Sequence, residues 1–210
     1  MKYKFYALKL CVVVFVIFLV QLLIPKSTEY LILNEFAWVQ IWRFITAIFV
    51  HGNLLHLLYN LFALALFGSI LEKLIGRKSF ILVFLVSGVL SNLVSVNFYE
   101  SSLGASGAIF GVIGALIIIR PLLFVWAFGI PMPIFIAGTL WALGDILGAY
   151  GFLVGNPMDN TGNIAHLSGM LFGFIFGMIY KPRKKKGKSI KWGIAMDEKY
   201  VRDWEDRNFR

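Results

Sequence analysis

The chain has 210 residues, is 59% hydrophobic and only 15% charged, and carries a net charge of +9. That balance excludes a soluble domain of this size, and several runs approach the roughly 20 apolar residues that cross a bilayer, so we read one polytopic membrane domain. The basic residues gather near the ends of the apolar runs and in the C-terminal stretch, a pattern of membrane topology rather than of nucleic-acid binding; the single cysteine, Cys11, can form no internal disulfide and reads as a small apolar residue.

A first span is predicted over 5–24, preceded by Lys2 and Lys4 and with Lys9 able to snorkel. The run is long for a signal peptide, and Ile24-Pro25-Lys26-Ser27 lacks a small-residue cleavage pattern, so it reads as an anchor. Residues 25–50 form an aromatic, amphipathic connection containing Trp38, Trp42, Arg43 and Phe44, suited to the headgroup level. Further spans are predicted over 54–71, 80–98, 105–119, 134–153 and 164–180. The run 122–130 is too short to cross, and Pro131 and Pro133 break a helix there, so 122–133 reads as interfacial. The fold class is all-α: a six-span bundle over 1–180, followed by a basic, mixed-charge tail over 181–210.

Six spans place both termini on one side. Thirteen Lys and Arg residues near span ends fall on that side, six of them within 181–188, against Lys26 and Arg43 on the other. The termini are therefore expected in the cytoplasm and the protein in the cell membrane, as a multi-pass protein. Helix rise then gives depth. Ser106 lies roughly 21 Å above Arg120, His166 roughly 22 Å above Lys181, and Asn60 roughly 20 Å above Lys73, with His56 about one turn higher. These groups form one layer beneath the outer edge of a core about 30 Å thick.

Polar groups at that depth are costly and need a partner or a job. Gly104-Ala105-Ser106-Gly107 puts a hydroxyl at the start of an apolar helix, with no strand predicted before it. His56 and Asn60, four apart, share one helix face. Gly107, Gly111 and Gly114 on one span, and Gly169, Gly173 and Gly177 on another, allow close approach of the two helices. Nucleophilic catalysis by Ser106 with His166 as base fits this inventory, and His56, Asn60 and the Ser106 amide can donate to an oxyanion. No carboxylate is placed to orient His166, so the arrangement reads as a dyad. Asp145, the one acid well inside a span, reads as a structural hydrogen-bonding group near the outer end of its helix. Phe110, one turn after Ser106, is placed to stack on the imidazole. A zinc protease lacks its His-Glu-x-x-His, an aspartic dyad lacks a second buried acid, and a transporter would favour repeated halves and helices broken at mid-membrane.

With those residues assembled, 35–180 resembles the six-span prokaryotic type of rhomboid intramembrane serine protease. The resemblance rests on Trp42-Arg43, His51, His56, Asn60, Glu72, Gly76, Gly104-Ala105-Ser106-Gly107, Asn163-Ile164-Ala165-His166, Gly169 and Gly173. It implies a Ser106–His166 dyad, with an oxyanion hole of His56, Asn60 and the Ser106 amide, supported by Gly104, Gly107, Phe110, Trp42, Arg43 and Asn163. It also implies a 25–53 loop dipping into the outer leaflet, and a fifth span that gates entry together with the loop after it. Small side chains before the scissile bond are implied too. Phe110 stands where members often carry Tyr, which keeps stacking but loses a hydroxyl contact. The expected partners are transmembrane protein substrates and membrane lipids, with no nucleic acid, cofactor or metal; the sequence leaves the oligomeric state open. The alternative is a catalytically inactive rhomboid-like protein that binds transmembrane clients, which would be expected to lack Ser106 or His166. The basic start of the tail reads as a positive-inside anchor, with anionic-lipid binding as the second reading.

Overall fold

The computed structural model describes residues 5–157 and 161–181, so the tail predicted over 181–210 lies, beyond Lys181, outside the described residues. In chain order the elements are α1 (Tyr6–Leu23), α2 (Lys26–Leu31), β1 (Leu33–Asn34), α3 (Arg43–Thr46) and α4 (Leu54–Ala63). A π turn (Leu64–Gly68) then continues α4 into α5 (Ser69–Ile75), followed by α6 (Arg77–Ser95), β2 (Ser101–Ser102) and α7 (Ser106–Ile119). The chain goes on through β3 (Phe124–Ala127), β4 (Ile130–Pro133), α8 (Ile134–Leu153) and α9 (Asn163–Tyr180). Among the described residues five helices are long and apolar enough to cross a membrane: α1, the continuous rod Leu54–Ile75, α6, α8 and α9. The sixth apolar helix, α7, has 14 residues. At 1.5 Å per residue it is about 21 Å long, well short of the hydrocarbon thickness.

α7 is apolar on every side, and most of its residues are buried. A helix of that kind belongs in the middle of a bundle. It lies against α6 and α9, and the glycines explain how closely. A Cβ on Gly169 would run into the Gly107 carbonyl, one on Gly173 into the Gly111 carbonyl, and one on Gly114 into the Met170 carbonyl. From the α6 side, Ser91 and Ser87 fill the space beside Gly107 and Gly111. Small residues on three helices thus let backbones touch where lipid would otherwise intervene.

α1 is fastened at both ends. Its Ala7 N–H donates to Glu72 Oε2 at 2.9 Å. Near its other end Gln21 makes two bonds of 3.1 Å with the backbone of His51, Nε2 to the carbonyl and Oε1 from the N–H. Gly76, between α5 and α6, has φ +83°, a conformation that only glycine adopts without strain.

The helices fall within a few residues of the predicted spans, with differences that have physical causes. The second span runs on to Ile75 and the third begins at Arg77 rather than at 80. Arg77 can extend the helix because its guanidinium lies over the Tyr6 ring, 5.8 Å from the centroid. A short strand does precede Ser106, contrary to expectation: Ser101–Ser102 pairs antiparallel with Leu33–Asn34. The segment 122–133 is a β-hairpin, Phe124 opposite Pro133 and Ala127 opposite Ile130. Its two-residue turn, Phe128-Gly129, has φ +53° and +80°, as a tight hairpin turn requires. Val125, Ala127 and Met132 are buried on one face while Phe124 and Trp126 on the other are exposed. The uniformly apolar strand hides this two-residue alternation, and the prolines signal only where a helix cannot go.

Candidate active site

Ser106 is the first residue of α7, and no side chain caps the helix there. The backbone N–H groups of the first turn have no partner within the helix, which leaves donors beside the hydroxyl. The chain reaches this point through Gly104, whose N–H donates to the Ala47 carbonyl at 2.9 Å. Gly104 has φ +121°, and a Cβ there would lie 2.7 Å from the His56 ring. Both facts demand glycine: the conformation is closed to other residues, and the imidazole occupies the side-chain space.

His166 lies on the first turn and a half of α9 and is 9% exposed. Phe110, one turn along α7 from Ser106, stacks on its ring with centroids 4.3 Å apart and planes 6° from parallel. The close contact at Gly107 and Gly169 sets this meeting, since Ser106 and His166 flank it on the two helices. Ser91 Oγ donates to the Ala165 carbonyl at 2.8 Å and ties α6 to the same turn of α9. Contrary to the expectation that no carboxylate is placed beside His166, Asp145 Oδ1 lies 3.0 Å from His166 Nδ1. Asp145 comes from α8 and is 6% exposed.

Ser106, His166, His56, Asn60 and Phe110 line one cavity of about 980 Å³ between the rod Leu54–Ile75 and α8. The cavity extends to Trp126 and Trp141, far along the bundle from Ser106. The hydroxyl and imidazole share it without a hydrogen bond between them among the described residues; such bonds commonly close only around bound substrate. Asn60 Nδ2 donates to the His56 carbonyl at 2.8 Å. One of its two amide protons is thus used within its own helix, and one remains for the cavity.

His51 is not in the cavity wall. Its ring packs edge-on against His56, 5.0 Å between centroids, and Nδ1 lies 3.3 Å from the Phe49 carbonyl. Burial, with His56 adding to it, pushes the His51 pKa down to about 4, so the ring is neutral at pH 7 and braces His56. Trp42 and Arg43 are also remote from the hydroxyl. Arg43 is buried and donates to the Gln40 side chain at 2.6 Å and to the Glu29 and Ile32 carbonyls at 2.7 Å, folding the 25–53 loop on itself. The Trp42 indole donates to the Tyr30 carbonyl at 3.4 Å. Asn163 lines the cavity and fills the space beside Gly148, joining α9 to α8.

The Asp145–His166 contact was not foreseen, yet depth carried a signal for it. Asp145 is twelve residues beyond Pro133, roughly 18 Å along its helix, within a turn of the layer holding Ser106 and His166.

The fold and cavity define a multi-pass helical membrane protein with hydroxyl, imidazole and amide groups lining one cavity. The Rhomboid domain family model matches residues 39–183, and the chain belongs to the rhomboid family. It is 30% identical over 189 residues to RHOMBOID-like protein 6, mitochondrial, of Arabidopsis thaliana, covering 84% of this chain and 59% of that one. It is 31% identical over 148 residues to Rhomboid protease GlpG of Haemophilus influenzae, covering 70% of this chain and 73% of that one. With Rhomboid protease GluP of Bacillus subtilis it shares 34% identity over 138 residues, 63% of this chain but 25% of that one. Against two Arabidopsis relatives the chain spans only 59% and 50% of their length.

Proposed function

We propose that the protein is an intramembrane serine endopeptidase that cuts transmembrane-segment substrates near the outer face of the cell membrane, with its termini in the cytoplasm. The observation that carries this reading is the shared cavity, to which three helices contribute Ser106, His166 and the donors His56 and Asn60. Family membership supports it, and two of the relatives are named rhomboid proteases. In this reading a substrate helix enters between the rod Leu54–Ile75 and α8 and unwinds at the level of Ser106. His166 Nε2 takes the Ser106 proton as Oγ attacks the peptide carbonyl, and the oxyanion is held by the Ser106 N–H, His56 and Asn60. The protonated imidazole then gives its proton to the leaving amine, and water admitted through the cavity hydrolyses the acyl-enzyme by the same proton exchange.

The test is cleavage of a tethered transmembrane substrate in liposomes, alongside labelling by a fluorophosphonate. Ser106→Ala is expected to abolish both in folded protein, and His166→Ala to suppress labelling. Cleavage that persists in Ser106→Ala removes Ser106 as the nucleophile. A wild-type protein that is folded, binds substrate and neither labels nor cleaves belongs to the client-binding alternative.

A further inference from the structure

We propose that Asp145 is a positioning residue for His166, fixing the imidazole in the tautomer that carries its proton on Nδ1 and so keeping Nε2 bare toward Ser106. This rests on the reading of Ser106 and His166 as nucleophile and base. Three features carry it. First, Oδ1 lies 3.0 Å from Nδ1, and a carboxylate at that position accepts from the ring when the imidazole carries its proton on Nδ1. A neutral imidazole has one N–H, so its other nitrogen is then an acceptor. Second, the ring is constrained from two directions: Phe110 covers one face and Asp145 holds one edge. Together they leave the ring little freedom to flip, which would exchange the two nitrogens. Third, Asp145 makes no other hydrogen bond among the described residues, and its buried Oδ2 has no partner.

The role is that of the third group in hydrolases that pair serine with histidine: orientation and tautomer, without contact with the substrate. The experiment uses the full chain, reconstituted for kinetics and detergent-solubilised for spectroscopy. Nitrogen-15 shifts of His166 are expected to show the proton on Nδ1 in the wild type. A proton on Nε2 there overturns the proposal whatever the variants do. Asp145→Asn, nearly equal in shape, is expected to lower kcat for the tethered substrate on the order of 100-fold or more, with KM little changed and the Nδ1–H signal lost. A kcat within about twofold of wild type, in folded Asp145→Asn, reduces Asp145 to a structural residue and overturns the proposal. Ser106→Ala separates the two readings: residual cleavage there defeats the serine mechanism itself, whereas an inactive Ser106→Ala beside a fully active Asp145→Asn defeats only the role of Asp145.

Discussion

The contact between α7 and α9 and the contact between α8 and the rest of the bundle are built in opposite ways. Between α7 and α9, glycines face backbone carbonyls so closely that no side chain fits. Where α8 packs inward, at Gly138 and Gly148, its close neighbours are side chains, Ile117 and Asn163, and its outer face carries Leu140, Leu143, Ile146 and Leu147, where a Cβ on Gly144 would meet nothing within 4 Å. Ser106, Phe110 and His166 stand on the locked pair, while α8 forms a wall of the cavity and reaches the site through Asp145. On the proposed reading, the difference teaches that precision in the reacting groups and freedom at the entry side can coexist when they are assigned to different helices. Catalytic geometry tolerates errors of only fractions of an ångström, whereas a helical substrate needs a wall that yields.

The hardest blow to this comparison is Gly169→Leu. Its side chain would strike the Gly107 backbone, which cannot move aside without displacing Ser106. Destabilisation of about 3 kcal/mol or more is expected, with loss of fluorophosphonate labelling in parallel, as read by thermal unfolding in detergent. Unchanged unfolding would mean that the two helices do not touch as described.

The second prediction concerns the brace around His56, on the locked side. His51 is buried with its pKa lowered to about 4, below the ordinary 6.5, so the unfolded chain binds its proton more readily than the folded one. Stability is therefore complete above about pH 6.5 and is lost as pH falls toward 4, by up to about 3 kcal/mol. Melting temperatures measured from pH 7 down to pH 4 should fall more steeply in the wild type than in His51→Gln. Equal slopes would show that His51 does not titrate in this range.

A smaller effect is expected at Phe110. Phe110→Ala removes the face contact on His166, and aromatic stacking of this kind contributes about 0.5–1.5 kcal/mol, so kcat should fall up to roughly tenfold. Phe110→Tyr keeps the ring and should stay within about twofold in kcat. Equal losses in both variants would show that ring stacking is not what Phe110 supplies.

The sequence made the locked side legible and left the rest obscure. Glycines every fourth residue, and the one-turn spacing of Ser106 and Phe110, are local patterns tied to helix geometry. They point to the α7–α9 approach before any coordinates. Asp145 escaped because helix rise gives depth but not rotation: which face of α8 looks at His166 depends on how that helix seats, and its apolar residues surround it almost evenly. The hairpin escaped because an apolar strand at lipid depth has no polar face to mark its period. The Asn60 amide, read only as a donor to the site, also spends a proton on the His56 carbonyl, as side chains within helices often do.

The smallest predicted effect tests the loose side directly. Gly144→Ala adds a methyl group where the structure leaves open space, next to Asp145 in sequence but outward of it. In a helix interior alanine is favoured over glycine by about 1 kcal/mol, so the variant should be unchanged or more stable by up to that amount, with kcat unaltered. The same methyl at Gly173 meets the Gly111 carbonyl. A paired measurement of the two therefore asks whether one added carbon is tolerated on α8 and refused on α9. If Gly144→Ala destabilises as much as Gly173→Ala, α8 is packed as tightly as its neighbour, and a yielding wall for substrate entry must be sought elsewhere in the bundle.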